Sequence, residues 1–168
     1  MKEVDAKESN KVIDSNNPES QPKVEIQAQY LKNIFFDSPI VPGVFKKLTE
    51  APKVDLNLDL QVKEVEAKTF EVTLVLNIKA NKDIETVFTT DIEYSGLFKI
   101  ENIANEDQKK QILLIYCPNL LFPFARSIVA TISREAGFMP LMVNPVDFAA
   151  LYLQQQQREK NNVQPVVH

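Results

Sequence analysis

What this 168-residue chain lacks is informative: it has no Trp, one Cys, one His and three Gly. The single His is His168, the last residue, so no Ser-His-Asp triad, Cys-His dyad or multi-His metal site can be assembled from internal positions. One Cys, Cys117, allows no disulfide within the chain and no Cys-rich zinc site. It lies in an apolar stretch with no basic cluster to activate it, and reads as a small buried hydrophobe suited to a reducing cytosol. No Gly-rich phosphate loop and no H-x-E, C-x-x-C or G-x-S-x-G pattern occurs, which leaves an enzyme the least supported class. The start, Met1-Lys2-Glu3-Val4-Asp5-Ala6-Lys7-Glu8, has no apolar core of a secretory signal. No apolar run, Ile112 to Cys117 included, approaches the about 18 residues a membrane span needs. Basic charge is not in excess either: 19 Lys and Arg against 23 Asp and Glu leave −4, which argues against a broad nucleic-acid face.

What is present suits one globular domain: 44% apolar and 25% charged residues, enough for a core. Residues 1–23 are polar, with Pro18 and Pro22, and read as a disordered tail; 158–168 read as a polar C-terminal tail, leaving a folded domain over 24–157. No internal repeat is found. Val54, Leu56, Leu58, Leu60 and Val62 alternate with Asp55, Asn57, Asp59, Gln61 and Lys63, the pattern of a half-buried strand. Val72, Leu74, Leu76 and Ile78 form a second such run, with a turn near Glu64–Lys68. In a third, Phe88, Thr90, Ile92 and Tyr94 oppose Val87, Thr89, Asp91 and Glu93, after a turn at Asn81-Lys82-Asp83. An earlier run places Ile26, Ala28, Tyr30, Ile34 and Phe36 in phase, opposite Gln27, Gln29, Leu31, Asn33 and Asp37, and ends at Pro39 and Pro42-Gly43. Short connections with clean alternation predict antiparallel pairing, one face dry and one wet.

Beyond Phe98 the period changes. Asn105, with Gln108 three residues on, caps a segment from Glu106 to about Tyr116; helix is preferred there, though Ile112–Tyr116 also fits a strand. Pro118 is expected to interrupt it. A second helix follows over roughly 120–136, with Leu121, Phe124, Ala125, Ile128, Val129 and Ile132 on one face, Pro123 in its first turn or at a kink, and Gly137 as the stop. After the apolar loop Phe138–Val143, Asn144 is expected to cap a last helix, with Pro145 first and Asp147 third in it. Strands first and helices second predict an α+β fold: a four-stranded antiparallel sheet with helices packed on one face.

The Asp55/Asn57/Asp59 spacing suggests a calcium loop, but alternation with Val54, Leu56 and Leu58 makes it the wet face of a strand. Asp91 and Glu93 form a carboxylate pair on a flat polar face, without the cleft that acid–base chemistry needs. Large apolar residues fall where a small domain cannot easily cover them: Phe35, Phe45, Leu97, Phe98, Phe138, Met139, Leu141 and Met142. They read either as core or as an interface or apolar peptide groove.

The segment Cys117-Pro118-Asn119-Leu120-Leu121-Phe122-Pro123-Phe124-Ala125-Arg126 resembles the signature of the SecB family of bacterial protein-export chaperones. Tyr30–Pro39, Pro42-Gly43-Val44-Phe45, Gly96-Leu97-Phe98 and Asn144–Leu151 resemble further blocks, so the likeness covers about 24–155. It implies a cytosolic homotetramer, a dimer of dimers, that binds unfolded precursor proteins, keeps them translocation-competent and delivers them to the SecA ATPase without hydrolysing anything. No cofactor is implied, and no metal, since the zinc of this handover belongs to SecA. The positions matching the family's SecA contacts are Asn33, Asp37, Thr89 and Asp91. Asn33 stands where an Asp is usual and Thr89 where a larger apolar residue is usual, and a common Trp is missing near Leu48 and Thr49.

On this reading Phe88, Thr90, Ile92 and Tyr94 point to core and subunit contacts, whereas Thr89, Asp91 and Glu93 point outward to a partner. Val54, Leu56 and Leu58, with Phe45, Phe98, Phe138, Met139 and Met142, are the expected client groove. The Met side chains would adapt to varied shapes. The alternatives are a SecB-like chaperone dedicated to one partner, such as a toxin–antitoxin system, and a carrier with a closed cavity for an apolar small molecule.

Overall fold

The computed structural model describes residues 21–47 and 50–162. The expected tails lie outside the described residues over 1–20 and 163–168, as do Leu48 and Thr49; Lys23 already opens the first strand, and the last helix runs to Asn162. Four strands, β1 (Lys23–Asp37), β2 (Lys53–Glu66), β3 (Thr69–Lys82) and β4 (Glu85–Glu101), form one antiparallel sheet in the order β1-β4-β3-β2. The β2–β3 and β3–β4 hairpins turn at Lys68 and Asp83, both with positive φ. A short helix α1 (Val44–Lys47) lies between β1 and β2.

The two central strands carry the core. Val72, Leu74, Leu76, Ile78 and Ala80 of β3 lie opposite Gly96, Tyr94, Ile92, Thr90 and Phe88 of β4, and all of these are buried. Each fully buried Leu or Ile contributes about 1.5–3 kcal/mol. Phe98 is wholly buried as well, because Gly96 has no Cβ: one added there would lie 2.6 Å from the Phe98 ring and 2.7 Å from Leu121. Val87 departs from the expected wet phase. It is the unpaired residue of a bulge between Ala80 and Asn81, and it is wholly buried.

β1 departs further. Register shifts at Gln27 and Lys32 each add one residue, and each reverses the phase. Val24, Ile26, Gln29, Leu31, Ile34 and Phe36 therefore share the helix side, opposite Ile100, Phe98, Gly96, Tyr94, Ile92 and Thr90. Ala28 and Tyr30, expected with them, fall on the open side with Asn33, Phe35 and Asp37, and Leu31 moves the other way. Tyr30 reaches across β4 and donates from its hydroxyl to Glu71 Oε1 at 2.6 Å, while Lys32 Nζ meets Glu71 Oε2 at 3.0 Å.

The 106–116 segment is helical. Helix α2 (Glu106–Gln111) is capped by Asn105, whose side chain accepts from the Gln108 amide at 2.8 Å. Pro118 does not interrupt: a π-helical turn over Ile112–Tyr116, in which the Cys117 amide reaches the Ile112 carbonyl, leads straight into α3 (Cys117–Glu135). The wider turn makes room for the proline ring, which has no amide to donate and would crowd a tighter helix. By length and composition the continuous Glu106–Glu135 helix could cross a membrane, but it lies on β3 and β4 as a core helix, burying Leu121, Phe122, Ala125 and Val129. The buried face is thus rotated from the expected one: Phe124 is half exposed and stacks on Tyr94 with ring centroids 6.0 Å apart. The last helix, α4 (Phe148–Asn162), starts later than expected. Asp147, not Asn144, is its cap, accepting from the Ala150 amide at 2.9 Å.

Candidate functional site

Gly137 stops α3 with φ +89°. The absence of a Cβ there lets the Phe45 ring lie against the backbone, at 3.0 Å from where a Cβ would stand. The chain then folds back: Ser133 Oγ accepts from the Leu141 amide at 2.8 Å and donates to the Val129 carbonyl. This buried serine holds the apolar loop in place, and the sequence offered only its position four residues before Gly137 as a signal. Phe138 packs on Phe88 and Phe45, with centroids 5.1 and 5.4 Å away. Between α1, β2 and this loop lies a cleft of about 490 Å³, lined by Phe45, Pro52, Val54, Phe138, Met139 and Leu141 among others.

Of the expected groove residues, the cleft therefore unites Phe45, Val54, Phe138 and Met139, the last 85% exposed at its rim. Leu56 and Leu58 continue from Val54 along the helix-side face of β2. Met142 is 62% exposed but does not line the cleft. Phe98 does not belong to any groove: it is wholly buried, ten positions along β4 from Phe88, under Leu121. Phe88, Thr90, Ile92 and Tyr94 are core, and Thr90 and Ile92 are so completely buried within one chain that they have no surface to offer another copy. Their neighbours Leu31, Ile34 and Phe124, each exposed by two-fifths or more, do.

The open face of the sheet carries Asn33, Asp37, Thr89 and Asp91 together. Asp37 lies opposite Thr89, Asn33 opposite Glu93, and Phe35 opposite Asp91. Asp91 Oδ1 accepts from Asn77 Nδ2 at 2.8 Å. None of Asp37, Asp91 and Glu93 is in an ion pair among the described residues. Glu71 is the opposite case, with its pKa held below the ordinary carboxylate range first by the Tyr30 hydroxyl and then by Lys32; Tyr30 itself is pushed up to about 12. Burial pushes the Cys117 thiol up to about 12, which keeps it protonated and unreactive at neutral pH. No cluster of three His, Cys, Asp or Glu among the described residues could hold a metal ion.

The arrangement is two surfaces, an apolar cleft and a flat acidic plate, on opposite sides of one sheet. The family model of the preprotein translocase subunit SecB matches residues 17–159. The chain is 42% identical over 131 residues to the protein-export protein SecB of Maricaulis maris, covering 78% of this chain and 76% of that one. To the protein-export protein SecB of Granulibacter bethesdensis it is 40% identical over 160 residues, covering 88% and 93%. Among solved structures, the SecB-like chaperone of Mycobacterium tuberculosis in complex with a ChAD peptide from the HigA1 antitoxin superposes with a TM-score of 0.62. It is 19% identical, covering 73% of this chain and 90% of that one, a likeness of fold. The chain belongs to the SecB family of protein-export chaperones.

Proposed function

We propose that this chain holds unfolded precursor proteins in the cytosol as a homotetramer, a dimer of dimers, and passes them to SecA. The observation that carries this reading is the cleft of about 490 Å³, continued by Leu56 and Leu58 along β2. A chaperone for many sequences needs apolar burial rather than fixed polar readout, and thioether side chains such as Met139 adapt to varied shapes. Burying one client Leu or Phe gains about 1.5–3 kcal/mol. Micromolar binding needs about 8 kcal/mol net, after the costs of association and ordering. One cleft is therefore too small to hold a client, and several clefts on one assembly acting together are sufficient. The apolar β1 flank, with Leu31, Ile34 and Phe124, supplies a contact between copies. The open plate around Asn33, Asp37, Thr89 and Asp91 is the SecA side, where unpaired acids steer a basic partner.

Light scattering of the purified protein, alone and with a urea-unfolded precursor, tests the reading. The expected result is a tetramer that adds the mass of the precursor; a monomer that adds none would refute it. A second reading, a chaperone dedicated to one partner, draws on the antitoxin peptide held by the Mycobacterium tuberculosis neighbour. It requires one stoichiometric small protein to co-purify instead of mixed precursors.

A further inference from the structure

We infer that Phe35 is the apolar anchor of the open plate, and that it seats in an apolar recess of a partner whose rim is basic. Phe35 is 52% exposed, and its ring takes part in no aromatic pair among the described residues. The second β1 bulge, at Lys32, sets its direction; without it, Phe35 would face the helix side. Carboxylates surround it. Asp91 lies directly opposite, Asp37 two residues along β1, and Glu93 diagonally across on β4. The nearest lysine on the same strand, Lys32, is occupied by Glu71 at 3.0 Å, and Lys79 of β3 shares this face opposite Thr89, with β4 between it and Phe35.

The anchor is also held in place. The Phe35 carbonyl accepts from Thr90 Oγ1 at 2.8 Å, and Asp91 is fixed by Asn77. An exposed aromatic on a held strand, at the centre of a charged rim, has the anatomy of a binding hot spot: the ring supplies burial, and the rim supplies orientation and excludes water. The charges decide the occupant. A second copy brought face to face would set Asp37, Asp91 and Glu93 against the same acids, and clients of varied sequence have no constant charge to match them. A partner with lysines or arginines around an apolar pocket satisfies both parts. This inference rests on the reading that SecA docks on this face, and it names the contact that carries the docking.

Titration calorimetry of the full-length chain with purified SecA, at low and high salt, tests it. Phe35→Ser is expected to weaken binding about tenfold, or about 1.4 kcal/mol, at both salt levels, because burial of a ring is not screened. Phe35→Leu should retain most of the affinity, and Asp91→Lys should weaken binding mainly at low salt and flatten its salt dependence. Wild-type affinity in Phe35→Ser alongside loss in Asp91→Lys would overturn the anchor while leaving the docking face intact. Wild-type affinity in both would remove the docking reading and the anchor with it. A changed assembly mass for Phe35→Ser by light scattering would assign the ring to a contact between copies and overturn the inference as well.

Discussion

On the helix side of the sheet, the β1 flank presents Ile26, Leu31 and Ile34 beside Tyr116 and Phe124, whereas the β2 flank presents Val54, Leu56 and Leu58 beside Phe45, Phe138 and Met139. Both edge strands lack a single buried residue, because α3 packs chiefly on β3 and β4. The flanks differ in what stands next to the strand. Beside β1 are the π-helical turn and α3, which give an apolar patch on helical backbone, with an open recess of about 740 Å³ at its Val24 end, lined by Ile112, Ile115 and Tyr116 among others. Beside β2 is a folded-back loop carrying a thioether at its rim, which gives a concave and deformable one. A surface built on helical backbone suits a fixed, self-complementary contact between identical chains, and a hollow rimmed by a thioether suits occupants that vary. On the proposed function, equal exposure of apolar surface thus serves two different duties.

The sharpest way to break this comparison is Ile34→Asp. A carboxylate placed in the β1 flank costs each contact the burial of an Ile, about 1.5–3 kcal/mol, and adds a charge to desolvate. The association constant between copies should fall by at least about tenfold per contact, read as a falling mass on dilution in light scattering. An unchanged tetramer at every concentration would show that this flank is not the contact.

Leu56→Asp makes the reciprocal change on the β2 flank. Its effect should be smaller, several-fold weaker suppression of the aggregation of a denatured client, because the remaining cleft residues, and the clefts of the other copies in the proposed assembly, still contribute. The assembly mass should stay the same. If both substitutions lower the mass, the two flanks do not have separate duties.

How much of this division was legible in the sequence depended on how regular each strand is. β3 and β4 pair without a register shift from Ala80 opposite Phe88 to Thr69 opposite Lys99, so the core residues Val72, Leu74, Leu76 and Ile78 and Phe88, Thr90, Ile92 and Tyr94 follow from period alone. β1 could not be assigned in this way. Its helix-side residues are spaced two, three, two, three, two, and nothing in Gln27 or Lys32 marks a bulge, so a period of two puts Ala28, Gln29, Tyr30 and Leu31 on the sides opposite to those they occupy. The groove was half legible. Phe45, Phe138 and Met139 are apolar residues outside regular strands, which is a surface signal; Phe98 reads the same way beyond the alternating run, but β4 continues to Glu101 and Gly96 opens space that buries it. The late start of α4 was not legible because Asn and Asp cap about equally well, so residue type does not favour Asp147 over Asn144.

The supports of the two flanks can also be loosened without touching their apolar surfaces. Gly137→Ala puts a Cβ at φ +89°, 3.0 Å from the Phe45 ring, beneath the β2 flank. It should cost about 1 kcal/mol, or about 3 °C in Tm. It should also lower client holding slightly while leaving the assembly mass alone. A Tm equal to wild type would mean that the turn relaxes to another conformation and that Gly137 is not what shapes the cleft.

The smallest expected effect is on the support of β1. Tyr30 and Lys32 tie the bulged strand to Glu71 on β3, across β4. Glu71 has a folded-state pKa below its unfolded value, so its contribution to stability is complete above the ordinary carboxylate range and is lost as pH falls through the folded value. Tyr30, raised to about 12, contributes below the ordinary phenol range and loses that only as pH rises through about 12, so it is intact at neutral pH. Tyr30→Phe removes the largest cause of the Glu71 depression. Urea midpoints of the variant should therefore lie below wild type at neutral pH and converge with it on acidification, where a protonated Glu71 no longer distinguishes the two. A gap that stays constant from neutral to acid pH would show that the phenol contributes through packing over Thr73 and Ser95, and that the carboxylate does not hold the strand on which the β1 flank is built.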